Sequence, residues 1–177
     1  MNAKKILSEL VDHDGLHDTL TGLLAHPAFI ESATREVASN IRSKETLNLF
    51  LISLLHRGDE RSEKLAVTNQ NELSRMPESE IHEIAARMLE GANILRQEFR
   101  QGDLIARYTF ADFLLLNNGN FETIKKKIED AISGIKASVV GIKMDFTSGR
   151  GRQAGASETL RSGISTLEVL QMERFPT

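Results

Sequence analysis

The run LNLFLISLL (47–55) constrains this chain most. A strand with one face in water alternates polar and apolar residues; this run does not alternate, so it reads as a strand buried on both faces. Such a strand needs a layer of other elements above it and another below. The run ends abruptly in charge, at His56-Arg57-Gly58-Asp59.

The remaining pattern supplies the covering layers. Ile6, Leu7, Leu10 and Val11 share one face of a short helix over 2–13, which Asp14-Gly15 ends. A second helix is predicted from Pro27 to Arg42, with Phe29, Ile30, Ala33 and Val37 inward. Residues 56–79 read as a loop or a weak helix. From Ser79 to Phe99 apolar residues recur at three- and four-residue steps (Ile81, Ile84, Ala85, Met88, Leu89, Ala92, Leu95), with Ser79 as N-cap behind Pro77. Leu104 to Leu116 reads as a strand pair broken by a tight turn at Tyr108–Ala111, and Asn117–Asn120 as a further turn. A helix over Phe121–Ile135 (Ile124, Ile128, Ala131 and Ile132 inward), a buried strand over Ala137–Phe146 and a helix over Thr159–Met172 complete the chain. Helices alternating with buried strands predict an α/β sandwich with helices on both faces of the sheet.

Bulk properties exclude several classes. A chain of 177 residues is long enough for one domain with a proper core. A net charge of −3 gives no reason to expect nucleic acid or an anionic membrane as partner. No run approaches the roughly 18 apolar residues of a membrane span, and MNAKKILSEL lacks the apolar core of a signal peptide. The chain has no cysteine, hence no disulfide or thiolate metal site, and its five histidines have no zinc-like spacing. A cytoplasmic protein is the default expectation.

Two segments together resemble one family. HDTLTGLLAHPAF (17–29) is similar to the H-D-x-L-T-G-L segment that opens GGDEF domains, the diguanylate cyclases of bacterial signalling. RQGDLIARYTFADFLLL (100–116) is similar to that family's R-x-x-D-x-x-A-R-Y-G-G-D-E-F-x-x-L-L segment, in register. The resemblance spans roughly residues 16–160 and implies a cyclase-like sandwich around a mostly antiparallel sheet. On this reading residues 1–15 form a helical stalk and 16–177 a degenerate GGDEF domain.

The departures matter most. Thr109 and Phe110 replace the two glycines whose backbone approaches the nucleotide phosphates, and a ring fills the space a glycine leaves open. Ala111 replaces an acid that ligates metal in the family, so only Asp112 keeps a carboxylate there. Where active members have a metal-binding aspartate after the first central strand, this chain offers Ser53, Leu54 and Leu55. Condensing two GTP molecules needs magnesium held by carboxylates, and each lost charge-stabilising group typically costs about 10³-fold or more. The expectation is a chain with no cyclase activity, no catalytic residue and no magnesium.

The R-x-x-D pair survives as Arg100-Gln101-Gly102-Asp103. The resemblance assigns these four residues to the family's inhibitory site, which binds cyclic di-GMP. A guanidinium can grip guanine's O6 and N7, and a carboxylate can accept from its N1–H and 2-amino groups. The competing reading of the pair is capping or a local salt bridge at a helix end. Arg107 is expected in an ion pair at the sheet edge, Asp18 and Thr21 as braces of their turn, and Phe110 as a plug in the emptied pocket. TSGRGRQAGAS (147–157) reads as a mobile surface loop and Lys125–Lys127 as a solvated helix face. The functional expectation is a cyclic di-GMP receptor that signals to a protein partner; a homodimer is compatible with it. The alternatives are a ligand-independent interaction module and an enzyme that weakly turns over one nucleotide.

Overall fold

A computed structural model describes residues 12–54, 75–100, 102–148 and 155–174. The expected stalk helix, apart from its last two residues, lies outside them. So do most of the 56–79 segment, Gln101 and the middle of the 147–157 loop. The described elements are α1 (His26–Ser43), β1 (Thr46–Ser53), α2 (Glu78–Glu98), β2 (Leu104–Arg107), β3 (Asp112–Asn117), α3 (Phe121–Ile132), β4 (Ser138–Asp145) and α4 (Ala156–Arg174).

The four strands form one sheet in the order β2-β3-β1-β4, and every pairing is antiparallel. β1 lies inside the sheet, and all of it but Thr46 is buried. Leu47, Leu49 and Leu51 pack with Phe29, Ala33 and Val37 of α1 and Leu160, Ile164 and Leu167 of α4. Phe50 and Ile52 face the other way, onto Met88 and Leu95 of α2 and Ile128 and Ile132 of α3. Each face is covered by two helices, which is why the strand carries no polar–apolar alternation. Each such side chain contributes about 1.5–3 kcal/mol when fully buried.

Two glycines answer specific needs. Gly141 lies opposite Phe50, and a Cβ there would sit 2.4 Å from the Phe50 ring. The missing side chain lets that ring lie across β4 and stack on Phe121, with centroids 5.2 Å apart. Gly22 holds φ +68, the left-handed conformation that closes the Asp18–Gly22 turn. Beyond that turn Leu24 runs beside β2: its N–H donates to Ile105 O at 3.2 Å and its carbonyl accepts from Arg107 N–H at 3.1 Å. The outer edge of β2 is thereby partly covered.

The structure corrects four local expectations. Ser79 is not the N-cap of α2; the cap position is Pro77, which has no side chain to bond, and Ser79 lies inside the first turn. α3 stops at Ile132 rather than Ile135, where Ser133 N–H turns back to Asp130 O. Ala131 of that helix is only half-buried. β4 is an edge strand rather than a fully buried one: Val139 and Met144 are covered while Lys143 is exposed.

Candidate functional site

Two turns flank the four-residue strand β2, and both carry residues the sequence singles out. The first closes the β2–β3 hairpin. The N–H groups of Tyr108 and Thr109 both donate to Asp112 O, at 2.9 and 3.3 Å. The Thr109 hydroxyl donates to Asp112 Oδ2 at 2.6 Å and accepts from Ala111 N–H at 3.2 Å. Asp112 Oδ1 accepts from the Gln171 amide of α4 at 3.3 Å, and Leu54 N–H donates to Ala111 O at 2.8 Å. Asp112 is thus buried with both oxygens occupied, opposite Ser53 on β1. The Ala111 methyl is buried, and Phe110 packs partly buried against the core on the α2/α3 side.

Arg107 makes the ion pair expected of it, and the pair is buried rather than solvated. Its Nη1 donates to Asp18 Oδ1 at 2.7 Å, with both side chains less than a tenth exposed. Asp18 Oδ2 accepts from the Thr21 N–H at 2.7 Å and the Thr21 hydroxyl at 2.6 Å. Arg107 Nε donates to Thr109 O at 3.2 Å, and the guanidinium lies 5.7 Å from the Phe110 ring centroid. Arg96 of α2 also donates to Thr21 O. One buried pair therefore ties the Asp18–Gly22 turn to the hairpin turn. This is the bracing role read for Asp18 and Thr21.

Tyr108 points toward the α1/α4 side. Its hydroxyl donates to Glu168 of α4, and the His26 ring meets it edge-on at 5.1 Å. Burial, followed by the bond to Glu168, pushes the Tyr108 hydroxyl well above its ordinary pKa. Burial also lowers the His26 imidazole, partly offset by Glu168. Little in the sequence marks Glu168 and Gln171: their only signal is a polar pair three residues apart on the last helix.

The second turn joins α2 to β2. Asp103 N–H donates to Arg100 O at 3.0 Å, and Arg100 N–H donates back to Asp103 Oδ2 at 3.0 Å, which closes the turn. Asp103 Oδ1 accepts from Asn117 Nδ2 at 2.5 Å. Asn117 Oδ1 in turn accepts from Gly119 N–H at 2.6 Å, and Gly119 O accepts from Asn48 Nδ2 at 2.7 Å. The Arg100 side chain is exposed and has no partner among the described residues. A Cβ built on Gly102 would meet nothing within 4 Å, so the space beside the turn is open. Gln101 lies outside the described residues.

Lys127 is a further cation beside this turn. It donates to Glu98 O and lies 4.9 Å from the Phe99 ring centroid, so it caps the end of α2 instead of standing free on a solvated face. Of the four residues assigned to the ligand, the structure brings Arg100, Gly102 and Asp103 to one turn. It separates them from Thr109–Asp112 by the length of β2.

No protein-family model matches the sequence, and no curated protein matches it. Solved structures do. The chain superposes on the GGDEF domain of DgcB from Caulobacter crescentus, in complex with c-di-GMP, with a TM-score of 0.63 at 13% identity, covering 93% of this chain and 90% of that one. The FimX GGDEF domain of Pseudomonas aeruginosa gives 0.56 at 12% identity, over 86% and 93% of the two chains. The diguanylate cyclase SiaD of the same organism, in complex with its activator SiaC, gives 0.60 at 17% identity; this chain spans 97% of its own length and 61% of SiaD's. The fold is that of a GGDEF domain. Among the described residues no helix is long and apolar enough to cross a membrane.

Proposed function

We propose that this chain is a catalytically inactive, cytoplasmic GGDEF-fold domain that binds cyclic di-GMP at the Arg100–Asp103 turn and passes that signal to a protein partner. The observation that carries the reading is the exposed Arg100 side chain, without a partner among the described residues, on the same turn as Gly102, where a Cβ would meet nothing within 4 Å. Arginine presents a fixed fork of donors suited to guanine's acceptor edge and to phosphate. That a domain of this fold from Caulobacter crescentus was solved with c-di-GMP supports the choice of ligand.

The loss of catalysis rests on the donor set at the hairpin turn. Magnesium takes oxygen ligands, typically carboxylates and waters in octahedral array. At this turn Ala111 offers a methyl, Ser53 a hydroxyl, and Asp112 a carboxylate already bonded to Thr109 and Gln171. These residues do not fit the ion. Phe110, whose ring packs against the core, also stands where the family resemblance has a glycine that lets a phosphate approach the backbone.

Titration calorimetry with cyclic di-GMP on wild type and Arg100→Ala tests the proposal. Saturable binding by wild type, weakened at least tenfold in the variant, supports it; equal affinity, or none in either, removes it. One observation favours a second reading, a ligand-independent interaction module: both oxygens of Asp103 are bonded inside the protein. That module would show no thermal shift with cyclic di-GMP and would retain its partner with or without nucleotide.

A further inference from the structure

We infer that the turn reads guanine chiefly through Arg100, because Asn117 and the turn's own backbone hold Asp103, so that the 2-amino group of the base adds little to binding. The inference rests on the cyclic di-GMP reading above and refines which ligand atoms are recognised.

Guanine offers two kinds of edge. O6 and N7 are acceptors; N1–H and the 2-amino group are donors. Arginine carries only donors and can serve the first edge, whereas an ionised carboxylate carries only acceptors and can serve the second. To serve it at full strength, Asp103 must offer lone pairs on two oxygens that carry no internal donor, since each bond already accepted weakens the next. It does not. Oδ2 takes the Arg100 N–H at 3.0 Å and Oδ1 takes the Asn117 amide at 2.5 Å.

These donors are fixed in place. The Asn117 amide is oriented from its other end by Gly119 N–H, and the Gly119 carbonyl is held by Asn48 Nδ2. Asn48 lies opposite Asn117 in the β1–β3 register and is 1% exposed. The chain of bonds therefore runs from inside the sheet to Asp103. An incoming base would have to share both oxygens with preorganised donors and gains less than a new pair of charge-assisted bonds. Arg100 has no such internal competitor among the described residues. Asn117 is thus a positioning residue: it reaches the ligand only through Asp103, and by occupying Asp103 it sets the specificity.

The test uses the full chain and two ligands that differ by one group, cyclic di-GMP and cyclic di-IMP, whose inosine bases lack only the 2-amino substituent. Calorimetry on wild type is expected to give dissociation constants within about fivefold of each other. A carboxylate that reads the amino group would separate them by about tenfold or more, the usual worth of a bond to a charged partner. Asn117→Leu removes the internal donor, and its preference for guanine over inosine is expected to rise to about tenfold.

A wild-type preference above about fivefold overturns the inference while leaving the receptor reading intact. So does an Asn117→Leu protein that melts like wild type and still fails to discriminate. Should that variant not fold, the wild-type pair of ligands decides alone. Absence of binding by either ligand overturns the receptor reading and this inference with it.

Discussion

The two turns at the ends of β2 use similar residues in opposite ways. Arg107, at the hairpin end, is buried against Asp18, whereas Arg100, at the helix end, is exposed without a partner among the described residues. Both turns hold a carboxylate, Asp112 and Asp103, and both carboxylates are bonded internally. The difference lies in what remains outside. Among the described residues the hairpin turn presents no unpaired charge, while the helix-end turn leaves one exposed guanidinium without a partner. A residue type at a motif position therefore says little until its partners are known.

The comparison breaks most directly at the buried pair. Asp18→Ala leaves the Arg107 charge in the interior without its counter-ion, a situation that typically costs about 3–5 kcal/mol. Urea denaturation is expected to show a loss of that size. A loss under about 1 kcal/mol would mean that Arg107 is solvated, and the two arginines would then not differ as described. A smaller effect is expected at Thr109→Val, which keeps the side-chain shape but strands Asp112 Oδ2 and Ala111 N–H together. The expected cost is about 1–3 kcal/mol by the same measurement. No change would show that Thr109 does not close the turn.

How far this contrast is legible in the sequence follows from what each signal measures. LNLFLISLL gives the central strand because burial on both faces leaves a direct mark on composition. The hairpin is legible because its turn separates two apolar runs. The cap of α2 is not, since Ser79 and Pro77 both fit a helix start and only the backbone path decides between them. The bonds of Asp103 are also hidden, because they depend on β3 being placed beside the turn in space. Asn48 stands out as an amide within an apolar strand, whereas Asn117, expected to open a turn, is the last residue of β3; each is buried. Their signal is legible in retrospect as a polar pair in register across β1 and β3, but register is not visible before strands are paired. Asn48 Oδ1 has no partner among the described residues, a cost an apolar side chain at that position would avoid.

A third, smaller effect distinguishes the hairpin turn by pH. Tyr108 is the chain's single tyrosine, so its ionisation can be followed without interference. Its folded pKa is raised by burial and by the bond to Glu168. The protonated form is favoured in the folded state, so this contribution to stability is fully present below the ordinary tyrosine value of about 10 and is lost as pH rises above it. Tyrosinate absorbance is expected to appear above pH 10 only as the protein unfolds. Stability is expected to fall more steeply between pH 9 and 11 in wild type than in Tyr108→Phe. Identical slopes would place Tyr108 in solvent.

The smallest effect on stability is expected where the effect on binding is largest. Arg100→Ala removes an exposed side chain with no partner among the described residues. The backbone N–H of residue 100 survives the change and still donates to Asp103, so the turn keeps its closure. Substitutions of this kind usually shift stability by no more than about 0.5 kcal/mol. Urea denaturation of Arg100→Ala is therefore expected to overlay wild type, while affinity for cyclic di-GMP falls at least tenfold. A variant destabilised by more than about 1 kcal/mol would make Arg100 a structural residue like Arg107. The two turns would then be alike, and no outward-facing group would be left at the helix end to receive a ligand.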